Sequence, residues 1–351
     1  ELTLHLDIEL QRVAAAAMGD MRGAVVALDP RSGGVLSAVS SPRYDPNKFV
    51  NGISFSDYAE LRDSRDAPLL NRVIQGQYPP ASTIKPMLGL AGLNRDLITI
   101  DTAIPDPGYY QLPGDPRRYR DWILRVRGTG HAEEMNLRDS IAQSCDVYFY
   151  ELANRFGIDA LAESLDDFGI GSVTGVDLPS EKRGILPSPE WKRRVIGSSW
   201  YGGETLIVGI GQGYMLATPM QLAVATTALA TRGTAFKPTF VAAVDGISVE
   251  PEPLLNVSVE TAYWDEVVAG MVDTVSSVRG TAFGMRSGLT YSVAGKTGTA
   301  QVVGIAQDAT YDEEALSEYQ RNHGWFIAFA PVENPKIVLA VLTENSGGGS
   351  S

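Results

Sequence analysis

Apolar residues return at helical spacing over residues 5–21, where Leu6, Leu10, Val13, Ala17 and Met21 recur. The pattern then changes. GAVVALDPRSGGVLSAVSS holds two apolar runs around DPRSGG, a turn signal, and predicts a β-hairpin. Residues 42–80 are polar and Pro-rich and read as mostly loop. A helix is predicted to begin near Ser82 and run through MLGLAGLN. Residues 100–135, rich in Pro, Gly and charge, read as an inserted loop region. Helices are predicted over LRDSIAQSCDVYFYELANRFG, IDALAESLDDFG, TPMQLAVATTALATRG and SVETAYWDEVVAGMVDTVSS, with TGVDLPSEKRGILPSPEW as a loop between the second and third. Three strand-like segments close the chain: TYSVAGKTGTAQVV, GWFIAFAPV and KIVLAVLTEN. The last two are joined by ENP, a hairpin signal. The polar GIAQDATYDEEALSEYQRN between the first two is predicted to be a mobile loop. An early hairpin and late strands with helices between predict an α+β fold whose two chain ends share one antiparallel sheet. There is no internal repeat and no obvious linker between two cores.

Composition narrows the class. The 351 residues are 44% hydrophobic, ample for a large core. With Lys+Arg 29 against Asp+Glu 42, the formal charge of −13 gives no general attraction for nucleic acid or anionic lipid. An anionic ligand must therefore be met by locally placed cations. No run of about 18 apolar residues occurs, so no membrane span is expected. Glu1 begins directly in LTLHLDIELQRVAAAAM with no leader pattern, as in a fragment of something larger. The tail SGGGSS reads equally as a linker or as a native Gly-rich loop. Cys145 is the one cysteine, so no internal disulfide can form.

The chemistry begins at YPPASTIKPM. Ser82 and Lys85 stand one helical turn apart, on one face. A serine hydroxyl is a weak nucleophile until a base takes its proton, and a lysine serves as that base only when its amine is neutral. A helix beginning at Ala81 or Ser82 would add its positive end. Pro79 and Pro80 stiffen the approach, and Pro86 falls where a missing N–H costs nothing. S-x-x-K alone fixes two positions of four and recurs by chance. Two further signals accompany it in order: Ser144-Cys145-Asp146, then Lys296-Thr297-Gly298-Thr299. S-x-x-K, S-D-N and K-T-G together mark penicillin-binding proteins and class A β-lactamases.

On these motifs, and on GQYPPASTIKP, RRYRDW, QSCDVYFYELA, TGVDLPSEKRGILP, VGIGQGYMLATPMQLA and AGKTGTAQV, the chain resembles the transpeptidase domain of class B penicillin-binding proteins, in their elongation branch. The resemblance runs from the LDIELQ helix to the final strand. It implies the penicillin-binding/β-lactamase-like fold, a central antiparallel sheet flanked by helices plus an all-helical subdomain. One transpeptidase domain would span 1–351, its sheet part from about 1–50 and 285–345 and its helical part from about 80–285, with the N-terminal anchor and pedestal absent.

The implied reaction is D,D-transpeptidation of peptidoglycan stem peptides ending in D-Ala-D-Ala, through an acyl-enzyme that β-lactams trap. Ser82 would be the nucleophile and Lys85 its base. Ser144 would relay a proton with Lys296 adding charge, and Asp146, where many relatives carry asparagine, would accept from Lys85 or orient it. Thr297 and Thr299 would bind the substrate carboxylate, and Gly298 would let the substrate lie along the strand. The backbone N–H groups of Ser82 and Thr299 would form the oxyanion hole, contributing about 3–4 kcal/mol per donor. The resemblance further implies a single N-terminal anchor, a location on the periplasmic face of the inner membrane, and a RodA-type glycosyltransferase as partner within the elongation complex. A β-lactam-sensing or β-lactam-hydrolysing relative is the alternative. Neither Glu181 nor Glu190 stands in the E-x-x-L-N context of class A hydrolysis, so a long-lived acyl-enzyme is expected.

VGIGQG (208–213) lacks the ending of a phosphate loop and reads as a tight turn. Tyr109, Tyr110, Tyr311 and Trp325 either line the cleft or pack in the core and on the surface. Finally, Cys145, His131, Asp121 and Asp106 make a plausible tetrahedral set for a structural Zn²⁺ that pins the 100–135 loop to the catalytic helix. Their spacing matches no standard zinc pattern, and a buried apolar cysteine beside a solvent-facing histidine is the other reading.

Overall fold

The computed structural model describes residues 1–304 and 316–349. Tyr311 and most of GIAQDATYDEEALSEYQRN lie outside the described residues. The early hairpin forms as strands β1 (Gly23–Leu28) and β2 (Val35–Ser41). The late segments form β3 (Ala294–Ala300), β4 (His323–Ala330) and β5 (Ile337–Thr343). All five pair antiparallel in the order β3-β4-β5-β1-β2, so the two ends of the chain meet where Val341 lies opposite Val25.

Both faces of this sheet are covered near its middle, which is why every residue of β1 is buried while β2 alternates. On one face, helix α1 (Ile8–Met18) packs Ala14, Ala15 and Met18 against Val25 and Val39. The Asp7 side chain caps it, accepting from Glu9 and Leu10 N–H. On the other face lie α2 (Lys85–Asn94), α3 (Asp146–Asp166), α4 (Pro219–Thr231) and α5 (Thr261–Ser276), which share the main core with the sheet. Helix α4 is buried on nearly every side. Its hydroxyls are satisfied within the helix, Thr226 donating to Leu222 O at 2.6 Å and Thr227 to Ala223 O at 2.9 Å.

Three expectations change. The predicted helix over 137–157 breaks at residues 143–145, leaving Leu137–Ala142 as a separate turn before α3. The expected boundary at Gly157 stands: its φ of 67° and ψ of 164° are non-helical and divide α3 into two helical stretches. Residues 2–4, 234–236, 241–244, 247–248 and 253–256 form short strands that periodicity did not reveal. Residues 100–135 carry small paired segments, Ile104–Pro105 with Glu134–Met135 and Tyr109–Tyr110 with Tyr119–Arg120, rather than plain loop.

Candidate active site

The segment leading to Ser82 is tied down before it arrives. Glu344, at the end of β5, accepts from Arg72 at 2.8 Å and from the Tyr78 hydroxyl at 2.6 Å. The chain then turns through a 3₁₀ segment, Ala81–Ile84, and passes into α2 at Lys85, with Pro86 in the first turn. Ala81 has a left-handed φ of 51°, and its N–H donates to Gly211 O at 2.8 Å. Ser82 is half-buried at the mouth, and among the described residues its hydroxyl makes no hydrogen bond.

Lys85 is fully buried. Its Nζ donates to Asp146 Oδ1 at 2.7 Å, to Ser144 O at 2.9 Å and to Ser144 Oγ at 3.4 Å. An ammonium has three protons, and these three acceptors match them. The break before α3 makes this possible. Ser144 adopts φ 58°, uncommon outside glycine, and so turns both its oxygens toward Lys85. The Trp122 indole also donates to Ser144 O, at 3.1 Å. Asp121 accepts from the N–H groups of Asp146 at 2.6 Å and Val147 at 3.2 Å, closing the start of α3.

The third motif lies on β3, which among the described residues pairs with β4 alone and is an edge strand of the sheet. Lys296 is fully buried and donates to Thr297 O at 3.0 Å. Burial drives its pKa well below the usual lysine range; the Lys85 charge adds to this and Asp146 opposes it. An arriving carboxylate would favour the charged form of Lys296. The Thr297 hydroxyl meets that of Thr281 at 2.6 Å, and Thr299 is exposed. A side chain on Gly298 would meet Thr83 at 3.0 Å, Trp325 at 3.1 Å and Pro80 O at 3.2 Å. The absence of a side chain here leaves room for the turn that bears Ser82.

The residues singled out from the sequence thus converge from three elements, except that Tyr109 and Tyr110 sit in the 100–135 hairpin and Trp325 is core, donating to Pro79 O at 2.9 Å. Glu181 is occupied by Thr174 and Gly175. Sequence reasoning missed Trp122, Thr281 and Gln212, whose Nε2 donates to Thr299 O at 2.8 Å. The available signals were the position of Trp122 inside RRYRDW and of Gln212 inside VGIGQG.

Near the Ser144–Asp146 segment, one ligand atom each from Asp106, Asp121, His131 and Cys145 lie within 4.8 Å of one another. The His131 side chain is 1% exposed, not solvent-facing. Its Nδ1 is 3.0 Å from Asp106 Oδ2, and its Nε2 is buried with no partner among the described residues. Burial pushes the Asp121 carboxyl up to about 6, with Asp146 adding to the shift. Burial acts likewise on Asp106, but hydrogen bonds from His131 and Gly108 hold it below the ordinary value. Burial, with the two carboxylates, pushes the Cys145 thiol well up.

A turn bearing Ser82, a buried lysine on a Ser/Asp pair and an edge strand with a second lysine supply the groups that serine acyl transfer requires. The chain belongs to the penicillin-binding protein transpeptidase domain family, whose model matches residues 23–351. It is 47% identical to the peptidoglycan D,D-transpeptidase MrdA of Acinetobacter baumannii, covering all of this chain and 52% of that protein. Pseudomonas aeruginosa PBP2 in complex with WCK 5153 superposes with a TM-score of 0.90 at 44% identity, covering 100% of this chain and 75% of that one. PBP2 of Helicobacter pylori in complex with MreC gives 0.87 at 36%, covering 99% and 61%. The chain spans about half the length of the curated relatives it matches. Among the described residues no helix is long and apolar enough to cross a membrane.

Proposed function

We propose that this domain is a serine D,D-transpeptidase acting on peptidoglycan stem peptides in cell elongation. The observation that carries the reading is Lys85 held on Ser144 and Asp146 directly after the turn that bears Ser82. Ser82 Oγ attacks the carbonyl between the two terminal D-alanines, with Lys85, once neutral, taking its proton. The oxyanion is held by the N–H groups of Ser82 and Thr299. The C–N bond breaks, the leaving D-alanine nitrogen gains a proton through Ser144, and an amine of a second stem peptide then takes the acyl group. Asp146 orients Lys85. Thr297 and Thr299 receive the substrate carboxylate, with Lys296 alongside. A β-lactam acylates the same oxygen by ring opening.

Intact mass spectrometry after exposure to benzylpenicillin tests this. One adduct mapping to the Ser82 peptide is expected, and none on Ser82→Ala. Labelling of the alanine variant overturns the reading. The engagement of Glu181 within its own loop argues against a hydrolysing relative, and rapid turnover of a chromogenic cephalosporin would restore that alternative.

In the whole protein we place the domain in the periplasm behind a single N-terminal inner-membrane anchor and a pedestal. A RodA-type glycosyltransferase and an MreC-like scaffold are its expected partners.

The second element is a structural Zn²⁺ on Asp106, Asp121, His131 and Cys145. A buried thiol, an imidazole and two buried carboxylates suit this ion, and the orphaned His131 Nε2 belongs to a site short of partners. When bound, zinc would supply charge neutralisation and a cross-link between the 100–135 segment and α3. Protein purified without added zinc should contain about one equivalent, and chelation should lower its melting temperature. A zinc-free protein that melts unchanged by added Zn²⁺ removes the assignment.

A further inference from the structure

The outer edge of β3 is not bare. Gln212 Nε2 donates to Thr299 O at 2.8 Å, and Gln212 Oε1 accepts from Gln301 N–H at 3.3 Å. A pairing strand would satisfy those two groups in the same way. With the Lys296 bond to Thr297 O, they show residues 297, 299 and 301 turning their polar groups away from β4. In an antiparallel pair, two facing residues exchange both hydrogen bonds. A peptide whose reacting carbonyl accepts from Thr299 N–H therefore gives the N–H of that same residue to Thr299 O. Gln212 already holds that oxygen.

We propose that Gln212 is a placeholder strand, a positioning residue that keeps the edge of β3 in register and hands Thr299 O over to the amide N–H of an incoming acyl donor. This rests on the transpeptidase reading above. The neighbouring contacts show how the residue is placed. Gly211 O holds Ala81 N–H beside the nucleophile, and the next residue reaches the strand, so one short segment spans both sides of the cleft. Only donors with an acylamino N–H at the reacting residue must displace the placeholder and lose its bond to Thr299 O; a ligand without that N–H leaves Gln212 in place.

The test compares acylation rate constants for benzylpenicillin, which carries that N–H, and for a carbapenem with a hydroxyethyl group, which does not. In Gln212→Leu the competitor is gone, and the benzylpenicillin-to-carbapenem ratio should rise about 3- to 10-fold, the range one intramolecular amide hydrogen bond commands. Gln212→Glu can still accept from Gln301 N–H but, ionised, cannot donate to Thr299 O, so its ratio should rise as well. On the wild-type protein, the Gln212 side-chain amide resonances should shift when benzylpenicillin acylates and stay in place with the carbapenem. A ratio that is unchanged or lowered in a folded variant, or amide resonances that respond alike to both ligands, overturns the placeholder while leaving Ser82 chemistry intact. Failure of the wild-type protein to acylate with either ligand overturns the transpeptidase reading, and this one with it.

Discussion

Replacing Lys85 by methionine should slow acylation of Ser82 by about 10³–10⁴-fold, the upper part of the range for loss of a positioned general base. Methionine fills much of the buried volume but can take no proton and neutralise no charge. The same change leaves Asp146 without its cation in a site where Lys85 is fully buried. Removing one partner of such a pair costs about 3–5 kcal/mol, so activity and stability would fall together and the result alone would be ambiguous. Asp146→Asn separates them. The amide keeps an acceptor for Lys85, and in the double variant it removes the stranded charge. Lys85→Met with Asp146→Asn should recover most of the lost stability in urea unfolding while acylating no faster than Lys85→Met. If the double variant regains acylation along with stability, or if folded Lys85→Met acylates within about tenfold of the parent, Lys85 is not the base.

That test turns on a contact only half visible in the sequence. The strand-like K-T-G-T segment and S-x-x-K were legible because each is local. One helical turn sets Ser82 to Lys85, and one strand sets Lys296 to Thr299. The sheet was legible for a similar reason, since both ends of the chain carry apolar runs bounded by turn signals. The break at residues 143–145 was not legible. Apolar periodicity runs unbroken from Leu137 into α3, and nothing in the composition forces Ser144 to φ 58°. The surrounding structure imposes it: the Trp122 indole on Ser144 O, Asp121 on the first N–H groups of α3, and Lys85 on both Ser144 oxygens. Local rules failed where the chemistry sits, as expected for a site held in shape from several directions. The short strands were missed because two to four residues are too few to show a period. Gln212 was hidden because its role depends on an edge strand almost ninety residues away.

Gly211→Ala should disable the enzyme without touching any reacting group. Gly211 has φ 72°, and an added Cβ would lie 2.1 Å from Ala81 O and 2.7 Å from Ala81 N. Those are backbone atoms, which cannot rotate aside as a side chain would. Something must move, and Ala81 is itself strained at φ 51° with its N–H on Gly211 O. The displacement passes directly to Ser82, whose hydroxyl and N–H are both proposed to act on the reacting carbonyl. A misplacement of about 1 Å costs roughly 10² in rate, so acylation by benzylpenicillin should fall at least ~100-fold. Stability should fall as well, by about 1–3 kcal/mol for overpacking and about 1 kcal/mol for alanine in the left-handed region. Gly246→Ala is the matched control. Its φ is 82°, an added Cβ meets nothing within 4 Å, and it lies in the turn between residues 241–244 and 247–248. It should lose the left-handed share of stability alone and acylate at the parent rate. If Gly211→Ala acylates as fast as Gly246→Ala, the Ala81–Gly211 contact does not position the nucleophile.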